Sequence, residues 1–489
     1  MITQRSAVMK ISVLGSVLAV LCGCAVGPDF SRPEPRPTQG YGELPARLPH
    51  AGAADAEQHL VQGETIVDRW WVLFRAPLLN DTLALALTES PTLDTARATL
   101  EEARQAVAAA SGALFPQADF GVSGTRERVS SETSTGQEHF LGNVFSIGPT
   151  VSFAPDVFGG VRRKIEQQAA LAEVQRDELA AAYLSLTGNA VVQAIDIASA
   201  REQIDAVGDI IAVDQQNLDL TVMEQEAGKA AMTDVLAARS QLAADRALLP
   251  PLMQQLSAAG DALTILVGKT PAEWSPPAFD LTMLQLPTKL PVSLPSTLVR
   301  DRPDILASEA QLHAASAAIG VATAQLYPSI TLTASWTRAA GAAGTVFDSA
   351  NSLWSVGAGL TTPIFHGGTL LAQRREAVEA FRAQLDTYRQ TILQAFGQVA
   401  DTLHALEHDA KAIEAQREAL DAAQASLELS QESYKEGQAS FIQVLQAQRL
   451  YGQARLGYVQ AKAQRYLDTA QLFEALGGAW KDWQDPSMR

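Results

Sequence analysis

Residues 406–437 read LEHDAKAIEAQREALDAAQASLELSQESYKEG. The large side chains that recur at every seventh position of this stretch are Leu406, Ile413, Leu420, Leu427 and Tyr434. A seven-residue repeat of this kind is typical of a long helix that packs along one seam against a partner helix. The seam ends at Gly437, which lacks a Cβ and therefore suits a tight turn. A second helical pattern begins at Phe441.

The same construction occurs in the first half of the chain. Its seam residues are Ile197, Ile204, Ile211 and Leu218. Gly228 ends this seam, and the spacing from seam to glycine is the same in both halves. One seam alone is equally compatible with an ordinary buried helix face. Two seams that stay in register through their turns predict a repeated unit of paired helices within one long body.

A second match between the halves precedes the seams. Residues 91–126 align with residues 303–338 without a gap, and each copy is an Ala-rich helix that stops before a proline. After each proline the apolar residues alternate with small or polar ones. We therefore predict four strands of about ten residues, two in each half. The links within the two pairs are expected near residues 127–143 and 339–352.

Two environments produce this alternation. One is a sheet with one face on a soluble core, and the other is a membrane barrel with lipid outside and water inside. The pattern alone does not distinguish them. Four strands cannot close a barrel, and an unpaired strand edge is not tolerated in lipid. If the strands cross a membrane, several chains must share one barrel.

A proline and a Gly-Gly pair follow the second strand of each half and redirect the chain into a helix. Long helices of about seventy residues are predicted over residues 160–228 and 368–437, and each corresponds to about 100 Å. Return helices are predicted over residues 233–267 and 442–476. Pro250-Pro251 is expected to break the first return helix.

The N-terminus has the layout of a signal peptide, because Arg5 and Lys10 precede an apolar run over residues 11–21. The run ends in Leu21-Cys22-Gly23-Cys24, which resembles a bacterial lipobox. Cys24 is therefore expected to begin the mature chain and to carry lipid on its thiol, which tethers a protein without spanning the bilayer. The alternative is an ordinary cleaved signal with a chance cysteine.

The predicted boundaries divide the chain into six parts. They are a signal peptide (residues 1–23), a lipid-anchored extended segment (24–68), a first repeat (69–268), a linker (269–295), a second repeat (296–477) and a C-terminal tail (478–489). The aromatic cluster around Trp70 and Trp71 is expected to serve as a packing anchor.

Composition and motifs exclude several functions. The net charge of −17 disfavours a nucleic-acid partner, since phosphate binding needs clustered Lys and Arg. The sequence has no Walker loop and no Gly-x-Ser-x-Gly motif. His404 and His408 are spaced as a helical pair but lack the His-Glu-x-x-His order of a zinc protease. The sequence therefore predicts neither an enzyme nor a metal site, and no cofactor beyond the lipid on Cys24.

Six stretches, taken in order, resemble the outer-membrane efflux proteins of the TolC type, and among them the lipoprotein branch of NodT-like proteins. They are residues 24–30, 70–71, 302–305, 318–320, 363–368 and 434–448. The resemblance implies an α+β membrane protein that forms a homotrimer. Each chain would contribute four strands to one shared twelve-stranded transmembrane barrel, and long coiled-coil helices to an α-barrel that extends into the periplasm.

The function that the resemblance implies is an outer-membrane exit duct of a tripartite efflux system in a Gram-negative bacterium. Its implied partners are a periplasmic adaptor protein, an inner-membrane pump of the RND type and outer-membrane lipid. Drugs or other small toxic compounds would pass through the lumen passively. A duct for type I protein or polysaccharide secretion, and a periplasmic coiled-coil scaffold lipoprotein, remain alternatives.

By motif match, the resemblance also implies a pore constriction at Ile442, Gln443 and Gln446. These residues follow the turn at Gly437, which connects the second long helix to its return helix. The family often has Asp in this ring, whereas this sequence has Gln. This difference argues against an acidic, cation-binding ring. A solvated helix surface is the alternative interpretation of these residues.

The turns themselves are implied to be functional as well. Tyr434 and Asp234 are implied to take part in the bonds that hold the helix tip closed. Gly228 and Gly437 are implied to form the turns that face the adaptor protein, although a glycine turn also needs no function.

Overall fold

The computed structural model describes residues 25–34, 40–41, 58–64, 66, 69–133, 136–478, 480, 483 and 485. The predicted signal peptide and the predicted lipidation site, Cys24, lie outside these residues. The chain divides into two compact units. Unit one comprises residues 1–33, 100–175 and 308–388, and unit two comprises residues 34–99, 176–307 and 389–489. Each unit combines segments from both halves of the chain.

The helices and strands follow one another in an order that repeats in the two halves. In the described ranges they are β1 (His59–Gln62), α1 (Pro77–Glu89), α2 (Pro91–Gly112), β2 (Gln117–Thr133), β3 (Gly136–Phe153), α3 (Gly160–Glu226), α4 (Met232–Arg246), α5 (Leu249–Leu266), β4 (Lys289–Val292), α6 (Pro295–Asp301), α7 (Pro303–Ala324), β5 (Ser329–Ala340), β6 (Ser352–Thr361), α8 (Thr369–Lys435) and α9 (Phe441–Ala475). No helix among these combines the length and the apolar character needed to cross a membrane.

Unit one contains a four-stranded antiparallel sheet in the order β2-β3-β5-β6. The two hairpins β2-β3 and β5-β6 come from the two halves of the chain, and β3 pairs with β5 between them. The alternation of apolar and small residues predicted these four strands, and the structure confirms them. In unit two, β1 and β4 form a separate parallel pair.

The first hairpin is longer than the sequence suggested. Strands β2 and β3 have 17 and 18 residues, against 12 and 10 for β5 and β6. The segment 127–143 was expected to be a link, but most of it continues the ladder. The expectation was wrong because cross-strand hydrogen bonds do not require an apolar face, so polar residues extend a ladder that apolar residues begin. The second link, in contrast, is a loop with two short 3-10 turns.

Large apolar side chains lie exposed on the sheet of this single chain. Phe120 and Val122 on β2 are 68% and 73% exposed, and Trp354 and Val356 on β6 are 77% and 76% exposed. Strands β2 and β6 each have one neighbour in the sheet. The sheet is therefore open at both edges and carries apolar surface that water would not favour.

Helices α3 and α8 have 67 residues each and are close to the long helices that the seams predicted. At 1.5 Å per residue, each is about 100 Å long. The seam is buried as predicted: Leu406 and Ile413 are 0% and 1% exposed, and Ile197 is 3% exposed. Farther along α8, Leu420 and Leu427 are half-buried.

The return segments differ between the halves. Helix α9 is continuous over 35 residues. Its counterpart is interrupted between Arg246 and Leu249, and Pro250 lies in the first turn of α5. A proline is accepted in a first turn because its missing N–H has no helical acceptor there. The break predicted at Pro250-Pro251 therefore exists, but it lies just before the two prolines.

Aromatic side chains form the centre of unit two. Trp70 is 1% exposed, and its ring lies 5.4 Å from that of Phe473 and 6.0 Å from that of Trp71. Phe74 is fully buried and packs near Tyr466 of α9. These contacts confirm that the cluster around Trp70 is a packing anchor.

The first described residues lie against the rest of unit one. The amide of Val26 donates to the carbonyl of Phe158 at 3.1 Å. The buried guanidinium of Arg163 donates to the Val26 carbonyl and to the Asp29 carboxylate, at 3.1 and 2.7 Å. A Cβ on Gly27 would come within 2.5 Å of the Gly320 Cα, so two glycines permit this close approach. Two of the stretches that carry the family resemblance thus meet in the fold.

Candidate functional site at the helix turns

Each long helix is joined to its return helix by one turn. We call these two turns the tip turns (residues 227–231 and 436–440). Their hydrogen bonds are the same. In each, the amide of the glycine donates to the carbonyl three residues earlier at 2.9 Å, and the next amide donates to the carbonyl five residues before it at 2.8 Å. This pattern is a helix C-cap closed by a left-handed glycine. The duplication seen in the sequence is therefore preserved in backbone geometry.

Gly228 and Gly437 have φ values of +72° and +76°. This left-handed region is unfavourable for residues with a Cβ, so the turns require glycine for conformational reasons. A Cβ on either residue would meet no atom within 4 Å. The space around both turns is open within the described chain, as a docking surface requires.

Beneath the tip turns lies a small apolar cluster in unit two, which we call the tip core. Its buried members are Leu218, Val235, Ala238, Leu242, Phe441 and Leu445, and its partly buried members are Ile211, Val222, Ala237 and Tyr434. They come from α3, α4, α8 and α9, so this cluster ties all four helix ends together. The hydrophobic effect stabilises the arrangement because these side chains are removed from water together.

Tyr434 links two helix ends through both halves of its side chain. Its ring packs against Phe441, with centroids 5.7 Å apart. Its hydroxyl donates to a carboxylate oxygen of Glu224 on α3 at 2.5 Å. Burial and the adjacent Glu224 carboxylate raise the pKa of Tyr434 to about 12, so the phenol remains neutral at physiological pH. Sequence reasoning missed Glu224, which is one of several acidic residues near the end of α3.

Asp234 has a different contact in this structure. Its carboxylate accepts the backbone N–H of Ala231 at 3.2 Å and so caps the start of α4. It lies close enough to Tyr434 to contribute to the raised pKa of the phenol. The structure therefore brings the two tip residues near each other and gives Tyr434 the partner Glu224.

Ile442, Gln443 and Gln446 lie on the exposed side of the first turns of α9. Ile442 is 50% exposed, and Gln443 and Gln446 are exposed as well. The opposite side of the same turns carries the buried Phe441 and Val444. The three predicted constriction residues thus share one face of the helix, as their spacing requires.

These three side chains differ in their freedom. The Gln443 amide oxygen accepts the backbone N–H of Ser440 at 2.8 Å, so it caps the helix in the way that Asp234 caps α4. The described contacts give Ile442 and Gln446 no such role. Of the predicted ring, Ile442 and Gln446 are therefore the side chains available to narrow a passage.

A buried polar network lies just above the tip core and was missed by sequence reasoning. Gln448 donates to the carboxylate of Asp214, and Asn217 donates to the amide oxygen of Gln448 at 2.6 Å. Asp214 and Gln448 are each 2% exposed. Burial and the neighbouring carboxyl of Asp245 raise the pKa of Asp214 to about 8. A signal existed, because Gln448 interrupts the apolar stripe of α9 one heptad after Phe441.

The described parts of the chain contain no cluster of three or more His, Cys, Asp or Glu side chains that could hold a metal ion. His404 and His408 are both exposed on α8. The intervening Glu407 bonds Lys411 at 2.6 Å instead of joining them.

The outer membrane efflux protein family matches residues 82–269 and 294–478. The chain is 30% identical over 484 residues to the toluene efflux pump outer membrane protein TtgF of Pseudomonas putida, covering 96% of this chain and 98% of that one. It is 29% identical over 472 residues to nodulation protein T of Rhizobium leguminosarum bv. viciae, covering 94% and 92%.

The fold is also similar to solved structures. The outer-membrane channel OprN superposes with a TM-score of 0.82 at 27% identity, covering 94% of this chain and 100% of that chain. The resemblance to TolC-type and NodT-like proteins, which six short stretches of the sequence carry, is therefore confirmed. So is the α+β fold class, since the similar channels are trimeric α/β barrels.

Proposed function

Because this chain belongs to the outer membrane efflux protein family, we propose that it forms the passive exit duct of a tripartite efflux system. The family and its named relatives show that the protein is an efflux channel in the outer membrane of a Gram-negative bacterium. The family consists of channels and not of enzymes. The residues at the tip turns support a more specific proposal for how this chain docks and closes.

The observation that carries the proposal is the pair of identical tip turns at the ends of helices of 67 residues. A duplicated turn presents the same backbone shape twice in one chain. Three chains would present it six times around the end of a helical barrel. A periplasmic adaptor with a repeated binding element fits such a surface, and an RND-type pump would supply the energy through it. Gly228 and Gly437 are the proposed contact points.

Closure of the duct is proposed to depend on the residues next to these turns. Ile442 and Gln446 on the exposed face of α9 would form the narrowest ring, with Gln443 fixing the start of the helix. Tyr434 would hold the closed arrangement through Glu224 and the tip core, with Asp234 holding the start of α4. Because the ring is apolar and amide in character, it would exclude solutes by size and not by charge.

The lipid anchor and the cargo complete the proposal. Cys24 lies outside the described residues, but Val26 to Asp29 lie directly against the rest of unit one. A lipid on Cys24 would therefore tie the outer membrane to a fixed point on the body. The cargo is proposed to be small organic compounds, since relatives are named for the efflux of toluene and of solvents.

The test is functional replacement. A Gram-negative host lacking its own efflux duct would receive this gene together with a matching adaptor and pump, and efflux of a fluorescent dye would be measured. We expect efflux that needs all three proteins. Substitution of Gly437 by Asp is expected to abolish efflux while the amount of protein in the outer membrane stays unchanged. Undiminished efflux in that variant would contradict the assigned role of the tip turns.

A further inference from the structure

Two large apolar side chains in the turn just after β6 are almost fully exposed to solvent. Ile364 and Phe365 are 94% and 86% exposed, the highest values among the large apolar residues of the described chain. They belong to the turn that redirects β6 into α8. The turn borders a hollow of about 370 Å³ that is also lined by Leu326, Leu370 and Leu371. This is an apolar surface that is open on one side.

A similar feature lies at the other edge of the sheet. Leu114 and Phe115 immediately precede β2 and are 38% and 66% exposed. Both edge strands of the open sheet thus carry a pair of exposed apolar residues at the end that joins the helices. All four residues belong to unit one. Exposed apolar surface of this kind marks an interaction site.

The direction of the strands decides whether the two features can meet. All neighbours in the sheet are antiparallel, so β2 and β6 run in opposite directions. If a second copy continues the sheet, its β2 lies antiparallel to β6 of the first. The start of β2 and the end of β6 then lie at the same end of the shared sheet.

The lengths of the strands limit their register. Strand β6 has 10 residues and β2 has 17, so complete pairing of β6 allows eight registers. In one limit Thr361 lies opposite Gln117, which places Phe115 opposite position 363. In the other limit Ser352 lies opposite Thr133, which places Phe115 opposite position 370. The fully paired registers therefore place Phe115 opposite positions 363–370, a stretch that contains Ile364 and Phe365 and ends in the first residues of α8.

We propose that Ile364 and Phe365 of one copy pack against Leu114 and Phe115 of the next copy, and seal the junction between the shared sheet and the helices. The proposal rests on the proposed trimeric duct and names the contact that closes it at this level. Burial of these side chains removes apolar surface from water on both copies. The same contact sets the register in which β6 of one copy pairs with β2 of the next. This pairing gives the backbone groups of both open strand edges hydrogen-bond partners.

Disulfide cross-linking of the outer-membrane protein tests this contact. The variant Phe115→Cys with Phe365→Cys would be oxidised and separated on a non-reducing gel. Within one chain, β2 and β6 are three strand spacings apart, or about 14 Å. This is beyond the roughly 7 Å between Cα atoms that a disulfide tolerates. A bridge can therefore form only between copies, and we expect covalent dimers and trimers.

The matched control moves one cysteine to the far end of the same strand. Leu353 on β6 is 56% exposed and lies eight residues before Thr361, which is roughly 27 Å along a strand. Phe115→Cys with Leu353→Cys is expected to give no covalent species above that of either single variant. A second test pair, Leu114→Cys with Ile364→Cys, guards against a local disturbance at one position.

The results separate this contact from the duct itself. If both test pairs form trimers but no cross-links, the proposed contact is wrong and the duct is unaffected. The exposed side chains would then lie against the membrane surface. A wild-type chain that forms no trimer would instead refute the duct. Loss of trimer in both test pairs, with trimer retained in Phe347→Cys at the opposite end of the sheet, would support the contact, because Phe347 is 67% exposed as well.

Discussion

The hydrogen bond between Tyr434 and Glu224 offers the sharpest test of how the duct closes. Tyr434→Phe removes the hydroxyl and keeps the ring against Phe441. A hydrogen bond to a charged group contributes about 1.5–3 kcal/mol when it is buried, and this one is half-exposed. We therefore expect a loss of about 1 kcal/mol, which corresponds to roughly a fivefold change in an equilibrium constant.

The assay is single-channel recording of the purified protein in a planar lipid bilayer. If the contact exists only in the closed tip, Tyr434→Phe should raise the ratio of open to closed time about fivefold. Tyr451→Phe on α9 is the matched control, because Tyr451 lies outside this contact, and it should leave the ratio unchanged. Glu224→Gln should act in the same direction as Tyr434→Phe.

The double variant distinguishes a direct contact from two independent effects. Combining Tyr434→Phe with Glu224→Gln should have less effect than the sum of the two single variants, since both remove one bond. Full additivity, or a Tyr434→Phe channel that opens no more often than the wild type, would refute the reasoning.

Three further predictions concern other parts of the chain. The pKa of Asp214 is raised to about 8, so its contribution to stability is complete below its ordinary value near 3.8 and is lost as the pH rises through 8. Asp214→Asn should therefore flatten the fall in melting temperature between about pH 4 and 8, and an unchanged slope would contradict this. Gly437→Ala should destabilise the chain by about 1–2 kcal/mol in chemical denaturation, because the φ of Gly437 is positive. As a control, Gly397→Ala in the interior of α8, where the added Cβ meets open space, should stabilise the chain by up to about 1 kcal/mol. Equal effects of the two substitutions would refute the backbone argument. Cys24→Ser should abolish incorporation of labelled palmitate while some trimer remains, and labelling that persists would show that Cys24 is not the lipidated residue.

The order and length of the main helices and strands could be predicted from the sequence, because long secondary-structure elements have long, regular hydrophobic patterns. The heptad seam at Leu406 and Ile413 predicted helices that the structure places within two residues of the expected ends. The left-handed glycines predicted the turns, since no other residue adopts that backbone conformation so readily. Family resemblance then supplied the assembly, which no single chain can display.

Finer features depended on contacts that no pattern encodes. The partner of Tyr434 is decided by the relative rotation of α3 and α8, so Glu224 could not be chosen from among the nearby acidic residues. The first hairpin extended through polar residues because the ladder is made by the backbone. The two carboxyl groups of Asp214 and Asp245 belong to different helices, and their proximity emerges only from packing.

Mass and conductance, measured on one sample, decide whether three copies of this chain enclose a water-filled passage. The protein would be extracted from the outer membrane in detergent, its mass determined, and the same sample inserted into a planar bilayer. We expect a trimer that conducts ions and whose open time rises in Tyr434→Phe. A freely soluble monomer that gives no conductance would contradict the enclosed passage.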